Sequence, residues 1–241
     1  MRLGVGPLAP TSSTELRALA HAATESSFDC VWVDGPPAVA AMVAQWVPIR
    51  VGAVVEVGRH HPLHLAEDIA VADITSAGRL EVMLRPAHDD PDVVKEHMHV
   101  LAAALSGAHI QWEGLHLRVP ARLADNGPVP QRLALNPRPA QPVVPVWVID
   151  PQSEWASIAD PLGFGVAWRW RHGLAFGPTR WRLPRAVLCP NTVEPADLLA
   201  AAGDQSGYFI VEAATPGEVR ATGRRLAGPL RMPEFPAWAN E

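Results

Sequence analysis

The chain has 241 residues, of which 48% are hydrophobic and 19% charged, a composition that supports a substantial core and excludes general disorder. Its formal net charge of -5 and its scattered arginines exclude the basic surface typical of nucleic-acid binding. The two cysteines indicate no disulfide framework, and we find no signal-peptide pattern and no apolar run of ~18 residues, so we expect a cytoplasmic protein without a membrane span.

Predicted strands and helices alternate along the first half of the chain. The run at residues 49–57 is β-branched and almost free of polar residues, which is typical of a strand covered on both faces. Thr14 is the expected N-cap of the first helix, and Gly78 is expected to end the third helix. The spacing of apolar residues predicts strands at 3–8, 28–33, 49–57 and 79–84, and helices at 15–26, 38–46, 64–76 and 92–105.

An excursion at about residues 108–142 interrupts this alternation. It begins with a hairpin-like segment at 109–119 and continues into a proline-rich loop, and we expect it to lie on top of the fold. The alternation then resumes with shorter units. We predict strands at 143–149, 164–170, 185–189 and 208–213, and helices at 154–159, 195–202 and 216–230.

Eight strands that alternate with helices predict parallel pairing and right-handed crossovers. The fold class is therefore α/β, and we expect a compact (β/α)8 TIM-type barrel with shortened later units, as one domain over residues 1–241. The alternative is an open, doubly wound sheet. Against it, the first turn, GVGP at residues 4–7, lacks the third glycine and the immediate helix of a dinucleotide-binding fingerprint.

Four groups of segments, in order along the chain, resemble the bacterial luciferase-like family, which contains flavin monooxygenases and deazaflavin (F420) dependent oxidoreductases. The most specific match runs from IRVG at 49–52 through HPL at 61–63 and LAED at 65–68 to SAGRL at 76–80. The others are residues 16–33, which end in FDCVWV, then PRP at 137–139 with PVWV at 145–148, and finally YFIV at 208–211 with the helix at 216–230.

This resemblance implies a barrel whose site lies at the C-terminal ends of the strands. It also implies FMN or F420 as the cofactor, a small organic substrate for an oxidoreductase or monooxygenase reaction, and a homodimer or pairing with a related subunit. Several runs depart from the family: DGPP at 34–37 lacks histidines, LRPAH at 84–88 lacks glycines, and IDPQSE at 149–154 carries two carboxylates. The alternative function is therefore a non-catalytic barrel paralogue that has lost its cofactor and serves as a subunit or small-molecule binder.

Charged and imidazole side chains at the predicted strand ends are the candidate pocket residues, with no catalytic role assigned to any of them. Glu56 and Glu212 interrupt apolar runs, so we expect them either to serve a site or to form buried ion pairs with arginines. His61, His64 and Asp68 have metal-ligand spacing, but we favour a solvent-exposed helix N-terminus and predict no metal site. The predicted cofactor-binding or pocket residues are Asp34, Glu56, Arg85, His88, Arg171 and His172.

Overall fold

The structure is a computed structural model that describes residues 1–9, 12–120, 133–149, 155–171, 185–203 and 207–230. Four strand and helix pairs come first, followed by a short hairpin and the later units. The elements of the first half are β1 (Arg2–Leu8), α1 (Ser13–Glu25), β2 (Cys30–Asp34), α2 (Pro37–Ala44), β3 (Arg50–Val57), α3 (Pro62–Thr75), β4 (Leu80–Pro86) and α4 (Pro91–Leu105). The hairpin consists of β5 (Trp112–Glu113) and β6 (Arg118–Val119).

The later units are shorter than the first four. They comprise β7 (Val146–Ile149), α5 (Ala156–Ala159) with a 3-10 turn at Asp160–Leu162, β8 (Gly165–Arg169), β9 (Arg185–Cys189), α6 (Pro195–Ala202), β10 (Tyr208–Val211) and α7 (Pro216–Ala227). The eight strands other than β5 and β6 form a closed barrel of parallel strands in the order β1-β10-β9-β8-β7-β4-β3-β2. The predicted barrel is confirmed, and the open sheet is wrong because β1 pairs with β10. The N-cap of α1 is Ser12 rather than Thr14, since the Ser12 hydroxyl accepts from the N–H of Glu15.

The interior of the barrel is filled with large aromatic side chains. Trp32 and Tyr208 are buried there, and the Trp32 indole N–H donates to the Tyr208 hydroxyl at 2.8 Å. A Cβ on Gly52 would lie 2.2 Å from the Trp32 ring, and a Cβ on Gly165 would lie 2.4 Å from the ring of Trp147. Glycine at these two positions therefore makes room for the indoles, and the lumen is a packed core.

A charged network closes the N-terminal end of the barrel. Glu81 is fully buried, and one of its carboxylate oxygens accepts from Arg2 at 2.6 Å and from Arg50 at 2.7 Å. Arg50 also donates to the side chain of Gln141, which in turn donates to Asp73. A buried carboxylate of this kind requires paired cations, because an isolated charge is costly to remove from water. The sequence analysis did not identify this network.

The β5–β6 hairpin packs against α4 through one carboxylate. Glu96 is buried and accepts hydrogen bonds from the backbone N–H groups of Leu115 and Leu117, at 2.7 and 2.8 Å. The ring of His99 stacks on Trp112 with centroids 5.2 Å apart. The hairpin segment of the excursion therefore packs against α4.

Arg79 joins three segments at the same end of the barrel as the Glu81 network. Its guanidinium donates to the carbonyl oxygens of Ala44, Val47, Ile49 and Ser76, at 2.7, 2.6, 3.0 and 2.9 Å. These carbonyls lie at the end of α2, before β3 and after α3. The planar guanidinium donates to all four at once, whereas an ammonium group has only three N–H donors.

Both cysteines are buried free thiols, and burial raises the pKa of Cys30 and raises that of Cys189 to about 12. Both thiols are therefore protonated at neutral pH. Among the described helices, none is long and apolar enough to cross a membrane.

Arg79→Met is expected to lower the free energy of unfolding by about 2–4 kcal/mol, because four carbonyl oxygens lose a charged donor. Arg79→Lys should recover only part of this loss. Urea denaturation at pH 7 measures the effect. The matched control is Arg220→Met, which breaks an exposed ion pair with Glu25 and should cost less than about 1 kcal/mol. Equal losses for Arg79→Met and the control would contradict the role of Arg79.

The hydrogen bonds of the Glu96 carboxylate predict that docking of the hairpin on α4 depends on pH. Burial raises the pKa of this carboxyl, but the N–H groups of His116, Leu115 and Leu117 outweigh burial and lower it below its ordinary value of 4.5. A carboxyl whose pKa is lower in the folded state stabilises that state above its unfolded pKa, and the contribution is lost as the pH falls through the folded pKa. Docking should therefore persist at pH 5 and weaken only in stronger acid.

Glu96→Gln should accelerate hydrogen exchange at the amides of Leu115 and Leu117 by about tenfold at pH 7, because a charged acceptor becomes neutral. It should also remove the acid-dependent step in exchange. Glu113→Gln is the control, since Glu113 pairs with Arg118 at the surface of the same hairpin. Unchanged exchange in Glu96→Gln would show that the carboxylate does not dock the hairpin.

Candidate functional site

A cavity of about 610 Å³ opens at the C-terminal ends of β2 and β3, and we call it the mouth cavity. The first residues of α2 and α3 form its walls, and Val54, which also belongs to the interior core, contributes to its floor. The described lining is Asp34, Gly35, Pro36, Pro37, Val54, Val55, Glu56, His60, His61, His64, Leu65, Asp68 and Arg85. This is the end of a TIM-type barrel at which loops and helix N-termini meet.

Three predicted pocket residues meet in the mouth cavity. Asp34 ends β2, Glu56 lies near the end of β3 and Arg85 near the end of β4. The Asp34 carboxylate accepts from the Arg85 guanidinium at 2.8 Å, and this ion pair crosses over β3. The two side chains are 36% and 40% exposed, so solvent and ligands have access to both charges.

Glu56 and Glu212 are not buried, which corrects one part of the sequence analysis. Glu56 is 37% exposed and bonds to Arg59 at 2.8 Å, and Glu212 is 52% exposed and lies 3.9 Å from Arg169. The exposure of both side chains follows from their position, because each glutamate lies at or just beyond the C-terminal end of its strand, where the barrel opens. The pairing with arginine was predicted, but the burial was wrong.

Histidines form one wall of the mouth cavity. His61 is the N-cap of α3, where its Nδ1 accepts from the N–H of Leu63 at 3.3 Å, and its ring meets that of His64 edge to face. Burial, followed by the nearby His64, lowers the pKa of His61. His61 is therefore neutral at pH 7. The described part of the chain contains no group of three His, Cys, Asp or Glu side chains with metal-binding geometry.

His88 and Arg171 are not among the described residues that line the mouth cavity. His88 is exposed, accepts from the N–H of Asp90 through Nδ1, and lies beside Gly58, where a Cβ would approach the His88 Cβ to 2.9 Å. Gly58 has φ +101°, a conformation that favours glycine. Its lack of a side chain permits the close approach of His88. Arg171 is exposed and follows β8 by two residues, and His172 lies outside the described residues.

A second cavity of about 470 Å³, which the sequence analysis missed, lies across the barrel mouth at the ends of β1, β9 and β10. Its lining includes Leu8, Leu19, Pro190, Glu212 and Glu218. Glu218 stabilises the start of α7, because its carboxylate accepts from the N–H groups of Ala214 and Thr215 in the capping box of that helix. The available sequence signal was the run of proline and small polar residues directly after β9.

The closed barrel, with a cavity at the C-terminal ends of its strands, is of the TIM type. Comparison with known sequences identifies the family. The sequence profile of the luciferase-like monooxygenase family matches residues 1–149, which extend from β1 to the end of β7. The chain belongs to the luciferase-like monooxygenase family. No curated protein sequence matches it.

Solved structures share the fold at low sequence identity. The monooxygenase RslO1 from Streptomyces bottropensis is 18% identical, with a TM-score of 0.65 over 96% of this chain and 99% of that one. Riboflavin lyase RcaE, solved with modified FMN and riboflavin, is 12% identical, with a TM-score of 0.68 over 96% and 91%. An F420-dependent secondary alcohol dehydrogenase, solved with an F420-acetone adduct, is 15% identical, with a TM-score of 0.62 over 97% and 84%.

Proposed function

We propose that this protein is a flavin- or F420-dependent oxidoreductase or monooxygenase that acts on a small organic substrate. The observation that carries the proposal is the mouth cavity, an open, partly apolar space above a packed interior in a luciferase-like barrel. Structures of similar fold include one with modified FMN and one with an F420 adduct, so both cofactor classes are candidates.

The residues of the mouth cavity fit a planar ring that carries an anionic group. Its volume of about 610 Å³ lies within the range of small-molecule sites. Val54, Val55 and Leu65 offer apolar surface to a ring, and Arg85 offers guanidinium donors to an anion. When bound, such a cofactor supplies the redox chemistry, while the protein's side chains bind it, orient it and exclude water.

The second candidate function is a barrel that binds a small molecule without cofactor chemistry. One observation favours it: Asp34 already neutralises Arg85, and the carboxylates of Glu56 and Asp68 line the same space. These negative charges oppose a phosphate. A direct binding measurement separates the two functions.

We expect the purified protein to bind FMN or F420, measured by titration of visible absorbance and by equilibrium dialysis. Leu65→Trp should weaken this binding at least about tenfold, because an indole from α3 would occupy the mouth cavity. Thr75→Trp is the control, since Thr75 is exposed at the far end of the same helix. A colourless protein that binds neither cofactor would overturn the enzyme proposal and favour the second function.

We further propose that the protein forms a homodimer through the outer faces of α2 and α3. Met42, Val71 and Ile74 are large apolar side chains that are exposed on these two helices. The two helices pack together, and the side chain of Gln45, the C-cap of α2, donates to the backbone carbonyl of Thr75 in α3 at 2.7 Å, so their outer faces are adjacent. A cluster of exposed apolar side chains is typical of an interface.

Val71→Glu is expected to convert the dimer to a monomer, because the new charge would be buried without a partner. Light scattering coupled to gel filtration measures the mass, and thermal melting confirms that the variant folds. Leu199→Glu, on the exposed face of α6, is the matched control and should leave the mass unchanged. A monomeric wild-type protein at micromolar concentration would overturn the proposed dimer.

A further inference from the structure

Arg85 is the only arginine or lysine in the described lining of the mouth cavity. Within the described part of the chain, its guanidinium makes a single hydrogen bond, from Nη2 to Oδ2 of Asp34 at 2.8 Å. An arginine carries five N–H donors in a fork that fits two carboxylate or phosphate oxygens together. The contact with Asp34 uses one of them, at Nη2, and no other described residue accepts from this guanidinium.

The Asp34–Arg85 ion pair is of an exchangeable kind. Both side chains are more than one third exposed, and the contact is monodentate. Exposed ion pairs of this type contribute little to stability, because water replaces the partner at small cost. The ion pairs of Glu81 with Arg2 and Arg50 are not exchangeable in this way, since the carboxylate there is fully buried.

The position of the pair relates it to ligand entry. Asp34 aligns with Val54 in the sheet and Arg85 aligns with Glu56, two residues further along β3. The side chains therefore meet across β3 and over the segment that contributes the cavity floor. A ligand whose anionic group binds Arg85 in a bidentate manner through Nη2 must compete with Asp34 for that nitrogen.

We propose that Asp34 is an internal competitor for the anion-binding group of the mouth cavity. A phosphate or carboxylate group of the ligand binds Arg85 by displacing the Asp34 carboxylate. Asp34 therefore admits only anions that bind Arg85 more tightly than its own carboxylate does. The inference rests on the proposed function for its biological ligand, and it deepens that function by naming the displaced residue. Its physical core is a competition between two anions for one guanidinium.

Inorganic pyrophosphate and succinate are the probes, and isothermal titration calorimetry at low salt measures their affinities. Asp34→Asn should bind pyrophosphate about tenfold more tightly than the wild type, because a competing negative charge next to Arg85 is removed. Arg85→Gln and the double variant Asp34→Asn/Arg85→Gln should bind equally weakly. A gain with pyrophosphate alone assigns the site to phosphates, and a gain with both probes assigns it to anions generally.

Glu56→Gln is the matched control. It removes the same charge from the same cavity, but Glu56 pairs with Arg59 and not with Arg85. Its gain in pyrophosphate affinity should stay below about twofold, which reflects the general electrostatic field alone. Equal gains for Asp34→Asn and Glu56→Gln would overturn the proposal. Thermal melting verifies folding, which an exposed pair should hardly affect.

FMN and riboflavin separate this inference from the proposed function, because they share a ring and differ in the phosphate. Asp34→Asn should improve FMN binding about tenfold and leave riboflavin binding unchanged. Equal effects on both molecules would overturn the inference while the cofactor function stands. Tighter pyrophosphate binding in Asp34→Asn without binding of FMN, riboflavin or F420 would overturn the cofactor function while the competition stands.

Discussion

The packing of two indoles against two glycines fills the interior of the barrel with side chains, and the rest of the structure depends on it. Trp32 covers Gly52 and Trp147 covers Gly165, so the two indoles fill this part of the lumen, and any side chain at either glycine would overlap a ring. Along β3 and β4 the interior core reaches Val54 and Met83. The mouth cavity lies above these residues, where strand termini and helix N-termini supply its side chains.

The two ends of the barrel use charge in different ways. At the N-terminal end, Glu81 is fully buried against Arg2 and Arg50, and removing both arginines would leave an uncompensated buried charge. At the C-terminal end, Asp34 and Arg85 remain accessible to solvent, so their pairing is easily exchanged. The same types of residue thus stabilise the fold at one end and remain available for binding at the other.

The sequence predicted the order and approximate bounds of the strands and helices, because β-branched runs and apolar spacing report local structure directly. It did not distinguish Glu81 from Glu56, which are both single carboxylates in apolar runs. Their position along the strand decides the outcome: Glu81 is the second residue of β4, and Glu56 is the last but one of β3. Glu96 and Arg79 were missed for a related reason, since their partners are backbone groups distant in sequence.

The candidate site was predictable to the extent that it depends on neighbouring parallel strands. Asp34, Glu56 and Arg85 lie at the C-terminal ends of three adjacent strands, and the carboxyl ends of parallel strands meet at one edge. His88 lies two residues beyond the end of β4, beside Gly58 of the β3–α3 loop, where the lack of a side chain permits the close approach. Membership of a strand end therefore places a residue at the mouth, whereas its distance beyond the last paired residue decides whether it enters the cavity.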